Sequence, residues 1–145
     1  MMILNTLKDL WQDIDYPFLI HSTGELRFSE ITEKESLDLS SVKKGDVVAL
    51  IGDFDPQSIL TLLLLIDKNI ILVPLTMDTQ SQHEYFFQSA LVDVVIEGSS
   101  VRRIEHKAKH EFIEQLRLKE HAGLVLFSTG TTGRPKAILH DLTVF

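Results

Sequence analysis

The sequence predicts an α/β fold: a three-layer sandwich on a mostly parallel sheet. Three observations lead there. "DVVALIG" (46–52), "IILVPL" (70–75) and "DVVIEG" (93–98) are continuous apolar runs of strand length. Strands apolar on both faces belong to parallel sheets covered by helices on each side. Val47, Ile70 and Asp93 open these runs at intervals of 23 residues, room for a strand, a helix and two short connections. The segments between them have helical periodicity, so strands and helices alternate and no solenoid repeat is present.

Each element has a local cause. Ile3, Leu7, Leu10, Trp11 and Ile14 recur at helical spacing, predicting an amphipathic helix at the amino terminus. "FLIHSTGELRF" reads as two short strands around a turn, with Gly24 supplying the positive φ such a turn needs. "SEITEKESLDL" reads as a short helix capped by Ser29. After the strand ended by Gly52, Asp55 and Pro56 can open a helix running through Lys68, with Asp55 as cap and proline in the first turn. "SQHEYFFQSAL" predicts the next helix. In the polar stretch "VRRIEHKAKHEFIEQLRLKEH", Ala108, Phe112, Ile113 and Leu116 share one helical face, predicting a surface helix from Glu105 to Lys119. "GLVLF" is a fourth strand. "AILH" leaves as another, and a new helix is expected near Asp141.

Composition narrows the function. The 145 residues suffice for one domain, with 44% hydrophobic and 24% charged residues, as in a soluble globular protein. Fourteen basic against 21 acidic residues leave a net charge of -7, the wrong sign for a surface that neutralises a nucleic-acid backbone. With no cysteine, disulfides and thiolate sites are excluded, which fits a cytoplasmic protein. "MMILNTLKDLWQDIDY" carries acids and no positive leading region, so it does not read as a signal peptide. The longest apolar stretch, "SILTLLLLI", is broken at Asp67 and too short to span a membrane. It reads as a helix packed on the sheet.

The run "LVLFSTGTTGRPKAILH" (124–140) is the chemically informative one. Ligands of open α/β sheets gather beyond the carboxyl ends of strands, where "STGTTG" sits. Gly130 and Gly133 let backbone N–H groups approach an anion without a Cβ in the way. Ser128, Thr129, Thr131 and Thr132 add hydroxyl donors, and Lys136 adds a charge that can reach a phosphate oxygen. Pro135 keeps Arg134 out of helical geometry. A Walker loop would need Gly-Lys-Ser/Thr at a helix start, and Lys136 instead follows proline and precedes Ala137. The plain alternative is a solvated surface turn.

"FSTGTTGRPKAILH" closely resembles the phosphate-binding signature of the adenylate-forming superfamily, which includes acyl- and aryl-CoA synthetases, peptide-synthetase adenylation domains and beetle luciferases. Ser128 to Lys136 follow the pattern throughout, and Ala137 departs from it where glycine is usual. "GELRFSEI" and "VKKGDVVALIGDFDPQSILTLLLLIDKNIILVPL" resemble upstream segments of the same family, so the resemblance extends from about Phe18 to His140.

The resemblance implies that residues 1–145 form a single partial domain: the amino-terminal portion of the large domain of such an enzyme, ending just after the phosphate loop. It implies an ATP-dependent, AMP-forming carboxylate ligase of acyl-CoA synthetase type. That enzyme joins a small carboxylic acid to AMP, releases pyrophosphate, and passes the acyl group to CoA or a phosphopantetheine carrier. Ser128, Thr129, Gly130, Thr131, Thr132, Gly133 and Lys136 would hold the ATP phosphates, with His140 as a nearby candidate. The Mg²⁺ ligand, the adenine and acyl contacts and the catalytic lysine of the family would follow residue 145. The chain alone is therefore not expected to activate a carboxylate, and an interrupted sheet is expected to favour self-association. The alternative is a non-catalytic phosphate- or nucleotide-binding or interaction module that keeps only the fold.

Other candidates have simpler readings. His106 and His110 stand four apart on the expected helix, but without a third ligand they read as surface residues and no metal site is assigned. Asp53 to Pro56 read as a capping turn, Arg102 and Arg103 as a solvated loop, and Lys43 and Lys44 as guards of a strand end.

Overall fold

The computed structural model, which describes residues 3–22, 24–34, 36–129 and 133–144, sets the three apolar runs side by side in one sheet. In chain order the elements are α1 (Ile3–Trp11), β1 (Leu19–His21), β2 (Gly24–Leu26), α2 (Phe28–Thr32), β3 (Val47–Ile51), α3 (Pro56–Asp67) and β4 (Ile71–Leu75). A 3₁₀ turn (Met77–Gln82) leads into α4 (His83–Ser89), followed by β5 (Val94–Glu97), β6 (Ser100–Arg103), α5 (Glu111–Lys119), β7 (Gly123–Phe127), β8 (Ala137–Asp141) and a closing 3₁₀ turn (Leu142–Val144). The six-stranded sheet runs β6-β5-β3-β4-β7-β8, while β1 and β2 pair as a separate hairpin. β5, β3, β4 and β7 are parallel, and the two edge strands are antiparallel to their neighbours.

Side-chain alternation splits the core into two layers. Val47, Ala49, Ile51, Ile71, Val73, Leu75, Val95 and Val125 face Phe86 and Phe87 of α4, Ala90 just after it, and Ile113 and Leu116 of α5. Val48, Leu50, Leu72, Val94 and Ile96 face the opposite side, against Leu65 of α3 and Leu39 and Val42. The architecture is the expected three-layer α/β sandwich. α1 lies outside α3, and the Asp67 carboxylate that interrupts the apolar run accepts the Ile3 and Leu4 N–H groups at the start of α1. Trp11, Phe18 and Phe28 then stack edge to face, with centroids 4.9 and 5.1 Å apart, and tie the small hairpin to α1 and α2. Among the described residues no helix is long and apolar enough to cross a membrane.

The amino-terminal ends of the strands are fastened by charge. Asp93 accepts the buried Val47 N–H (2.8 Å) and an Arg117 Nη2 bond (3.0 Å), and meets His106 Nε2 at 2.7 Å. Arg117 Nε donates to the Gly45 carbonyl at 2.8 Å, so one guanidinium joins α5 to the entry of β3. Asp46 accepts two bonds from Arg103, at 2.8 and 3.2 Å. Their hydrogen bond, set against a smaller desolvation cost, holds the Arg103 pKa above its ordinary value.

Several expected boundaries shift. α2 starts at Phe28, with Arg27 as its cap residue, because the Glu30 carboxylate accepts the Arg27 N–H at 3.1 Å; Ser29 lies inside the helix. α5 starts at Glu111 rather than Glu105, because the His110 ring caps it by accepting the Phe112 N–H at 3.1 Å. His106 therefore lies outside the helix, Phe112 is exposed, and only Ile113 and Leu116 of the expected face are buried. Arg102 and Arg103 form strand β6 rather than a loop. Of the helix expected over 81–91, Ser81 and Gln82 belong instead to a preceding 3₁₀ turn, where buried His83 Nε2 meets the Thr76 carbonyl (3.0 Å) and the Thr79 hydroxyl (3.1 Å), and α4 ends at Ser89. A 3₁₀ turn also replaces the helix expected after Asp141.

Candidate phosphate-binding site

The parallel strands deliver three connections to one edge of the sheet: residues 52–55 after β3, 76–82 after β4 and 128–136 after β7. Between β4 and β7 the registered pairs are Ile71↔Gly123 and Leu72↔Leu124 and go no further. Pro74, which has no N–H to offer a neighbouring strand, falls just beyond that point. The two strands part there and leave a crevice of about 160 Å³ lined in part by Gly52, Phe54, Pro74, Thr76 and Leu126. Phe54 sits at φ +60° and is half exposed, a left-handed conformation rare for a bulky residue.

β7 rises on one side of this crevice and turns into β8 through the Ser-Thr-Gly segment. Gly130, Thr131 and Thr132 lie outside the described residues. Of the described residues of the run, Ser128 and Lys136 are brought together at the base of the turn. The Ser128 N–H donates to the Lys136 carbonyl at 2.9 Å, and the Ser128 Oγ accepts the Lys136 N–H at 3.1 Å. Accepting that bond leaves the Ser128 O–H to donate elsewhere. Gly133 takes φ +78°, the conformation for which glycine carries no penalty. Thr129, Gly133 and Lys136 are exposed, and among the described residues the Lys136 ammonium has no ion-pair partner.

His140 is placed apart from this group. It pairs in register with Leu124 on β8, four residues beyond Lys136, or about 13 Å along an extended strand. Asp53 and Asp55 are engaged in turns. Asp53 accepts the Met77 N–H at 3.1 Å, and Asp55 caps α3 by accepting the Ser58 N–H at 3.0 Å.

Two residues that periodicity assigned simply to a helix meet the loop from α4. Phe86 stacks on Phe127, the residue before Ser128, with centroids 4.1 Å apart and rings 27° from parallel. Tyr85 donates its hydroxyl to the Pro135 carbonyl at 2.7 Å and lies 4.6 Å beneath the Arg134 guanidinium. The sequence places both residues on a helix but does not say which strand they reach.

The run Ser128–Lys136 offers hydroxyls, amides, the Arg134 guanidinium and the Lys136 ammonium, with no carboxylate among them. Such a set fits a polyphosphate and offers a magnesium ion no hard anionic ligand. Among the described residues no cluster of three or more His, Asp or Glu side chains could hold a metal.

Comparison with family models and with curated proteins returns no match. Solved structures do match. The amino-terminal subdomain of Klebsiella oxytoca NpsA superposes with a TM-score of 0.64 at 19% identity, over 96% of this chain and 41% of that one. The fold is therefore shared with the NpsA amino-terminal subdomain. The same NpsA subdomain in complex with 3-hydroxyanthranilyl-AMSN gives 0.66 at 18% identity, over 96% and 39% of the two chains. VinN in complex with 3-methylaspartate gives 0.63 at 15%, over 97% and 47%. The chain thus spans 39 to 47% of the length of these structures. At such identities the likeness is one of fold, and within it Ser128 to Lys136 join the last parallel strand, β7, to the edge strand β8.

Proposed function

We propose that this chain supplies the ATP phosphate-binding loop of an AMP-forming carboxylate ligase. One observation carries the reading. The signature run Ser128–Lys136 stands at the carboxyl end of β7, in a fold shared with the NpsA subdomain. In the proposed reaction a carboxylate oxygen attacks the α-phosphorus of ATP, the bond to the bridging oxygen breaks, and pyrophosphate leaves. The loop's task is to hold the departing β- and γ-phosphates and offset their growing charge with N–H, O–H and ammonium donors. No proton transfer is asked of Ser128 or Lys136. A thiol of CoA or of a phosphopantetheine carrier would then take the acyl group as a thioester, breaking the acyl–phosphate bond and releasing AMP. NpsA bound to 3-hydroxyanthranilyl-AMSN and VinN bound to 3-methylaspartate support a small carboxylic acid as the activated substrate. Magnesium would have to be held by the phosphates and by groups outside this loop.

The test is a calorimetric titration of the chain with tripolyphosphate, ATP and AMP at fixed ionic strength. Tripolyphosphate and ATP should bind with similar affinity and AMP much more weakly. Lys136→Ala should weaken the first two by roughly 10- to 100-fold, the range of a charge-assisted hydrogen bond. Equal affinity for AMP and ATP, or a Lys136→Ala variant that binds as well as the wild type, would overturn the reading.

A further inference from the structure

Lys136 and Arg134 are the two cations of the run Ser128–Lys136, and the Lys136 backbone is held by several hydrogen bonds. The peptide unit joining Pro135 to Lys136 is pinned at both ends. Its carbonyl accepts the Tyr85 hydroxyl at 2.7 Å, and its N–H donates to Ser128 Oγ at 3.1 Å. The next carbonyl, that of Lys136, accepts the Ser128 N–H at 2.9 Å. Three hydrogen bonds thus flank a single Cα. Two come from the entry of the loop and one from a different element. Tyr85 is also the residue over which Arg134 lies, so its ring and its hydroxyl act on consecutive residues of the exit strand. Its neighbour Phe86 is buried and stacked on Phe127 at the entry, which anchors α4 to the same hairpin.

We infer that Tyr85 is a positioning residue for the loop: it fixes the Pro135–Lys136 peptide plane and so aims the Lys136 side chain at the polyphosphate. The inference rests on the phosphate-binding reading of Ser128–Lys136. A peptide plane held at one end can rotate, and each orientation carries the lysine Cα–Cβ bond in a different direction. Held at both ends, the plane has one orientation and the ammonium starts from one place. Binding then loses less conformational freedom, which is how pre-organisation raises affinity.

The test separates ring from hydroxyl. Tyr85→Phe keeps the surface under Arg134 and removes only the donor to Pro135; Tyr85→Leu removes both. In calorimetric titrations with tripolyphosphate, Tyr85→Phe should bind about 3- to 10-fold more weakly than the wild type, the span of one net hydrogen bond, and Tyr85→Leu more weakly still. The urea midpoint of Tyr85→Phe should stay close to that of the wild type. Its Lys136 amide should shift in ¹⁵N–¹H spectra and exchange faster with solvent, a signature that mere loss of packing would not confine to that residue. Unchanged affinity in Tyr85→Phe beside a loss in Lys136→Ala would overturn the brace alone, as would an unmoved Lys136 amide. Absence of saturable tripolyphosphate binding by the wild type would overturn the phosphate reading, and the aiming role with it.

Discussion

Asp141 stands at the far end of β8 from the phosphate loop and controls how firmly that strand is seated. Its carboxylate meets His121 Nδ1 at 2.8 Å and accepts the Thr143 N–H at 3.0 Å and the Thr143 hydroxyl at 2.6 Å. Burial by itself would push the carboxyl pKa up. The Thr143 and His121 hydrogen bonds, with the His121 charge, outweigh that and hold it at about 2, against an ordinary 3.8. At 1.36 kcal/mol per pH unit the drop sets an upper bound of about 2.4 kcal/mol, and solvent screening at a partly exposed strand end leaves about 1–2 kcal/mol.

The sign follows from the depressed value. The native carboxylate takes up a proton less readily than the unfolded one, so the stabilisation is complete above about pH 4 and disappears as pH falls toward 2. Asp141→Asn keeps the shape and one acceptor but not the charge. In urea unfolding it should be about 1–2 kcal/mol less stable than the wild type at pH 7, and the gap should close between pH 4 and pH 2. Taking the difference between the two proteins cancels the other acids, including Asp38 and Glu120, whose carboxyl pKa values are also lowered by their hydrogen bonds to Ser40 and Lys44. A gap that persists unchanged at pH 2.5, or none at pH 7, would refute the reasoning.

Substitutions at two further positions probe the packing that presents the loop. A Cβ on Gly123 would lie 2.7 Å from Leu116 Cδ1 and 3.2 Å from Ile71 Cγ1, so Gly123→Ala should cost about 1–3 kcal/mol in urea unfolding by overpacking the base of β7. Asp93→Ala leaves the Val47 N–H without its carboxylate inside the sheet and Arg117 without one partner, an expected loss of about 2–4 kcal/mol. Asp93→Asn, which can still accept from Val47, should lose less.

Much of this architecture was legible because one-dimensional pattern and burial coincide in it. The runs at 47–51, 71–75 and 94–97 are apolar on both faces and became the central strands within a residue or two. Asp55 and Pro56 declared the start of α3 because capping is a local act. What stayed hidden depended on partners distant in sequence. Arg103 looked like solvated charge because Asp46, which neutralises it, lies 57 residues earlier. His110 looked like one member of a helical pair, whereas its ring replaces a backbone acceptor at the helix start. At the candidate site, the small residues and the lysine could be read directly from their chemistry. Tyr85 could not, since its reach to Pro135 spans 50 residues and exists only once α4 has crossed the sheet.

The most direct measurement is a ¹⁵N–¹H titration of the chain with tripolyphosphate. If the loop holds the phosphates, the largest saturable shifts fall on the amides of Ser128, Thr129, Gly133 and Lys136, while Val47, Asp93 and Arg117 at the opposite ends of the strands stay still. Shifts centred on those opposite ends, or none at the β7–β8 turn at concentrations that saturate calorimetric binding, would contradict a phosphate site at the tip of β7.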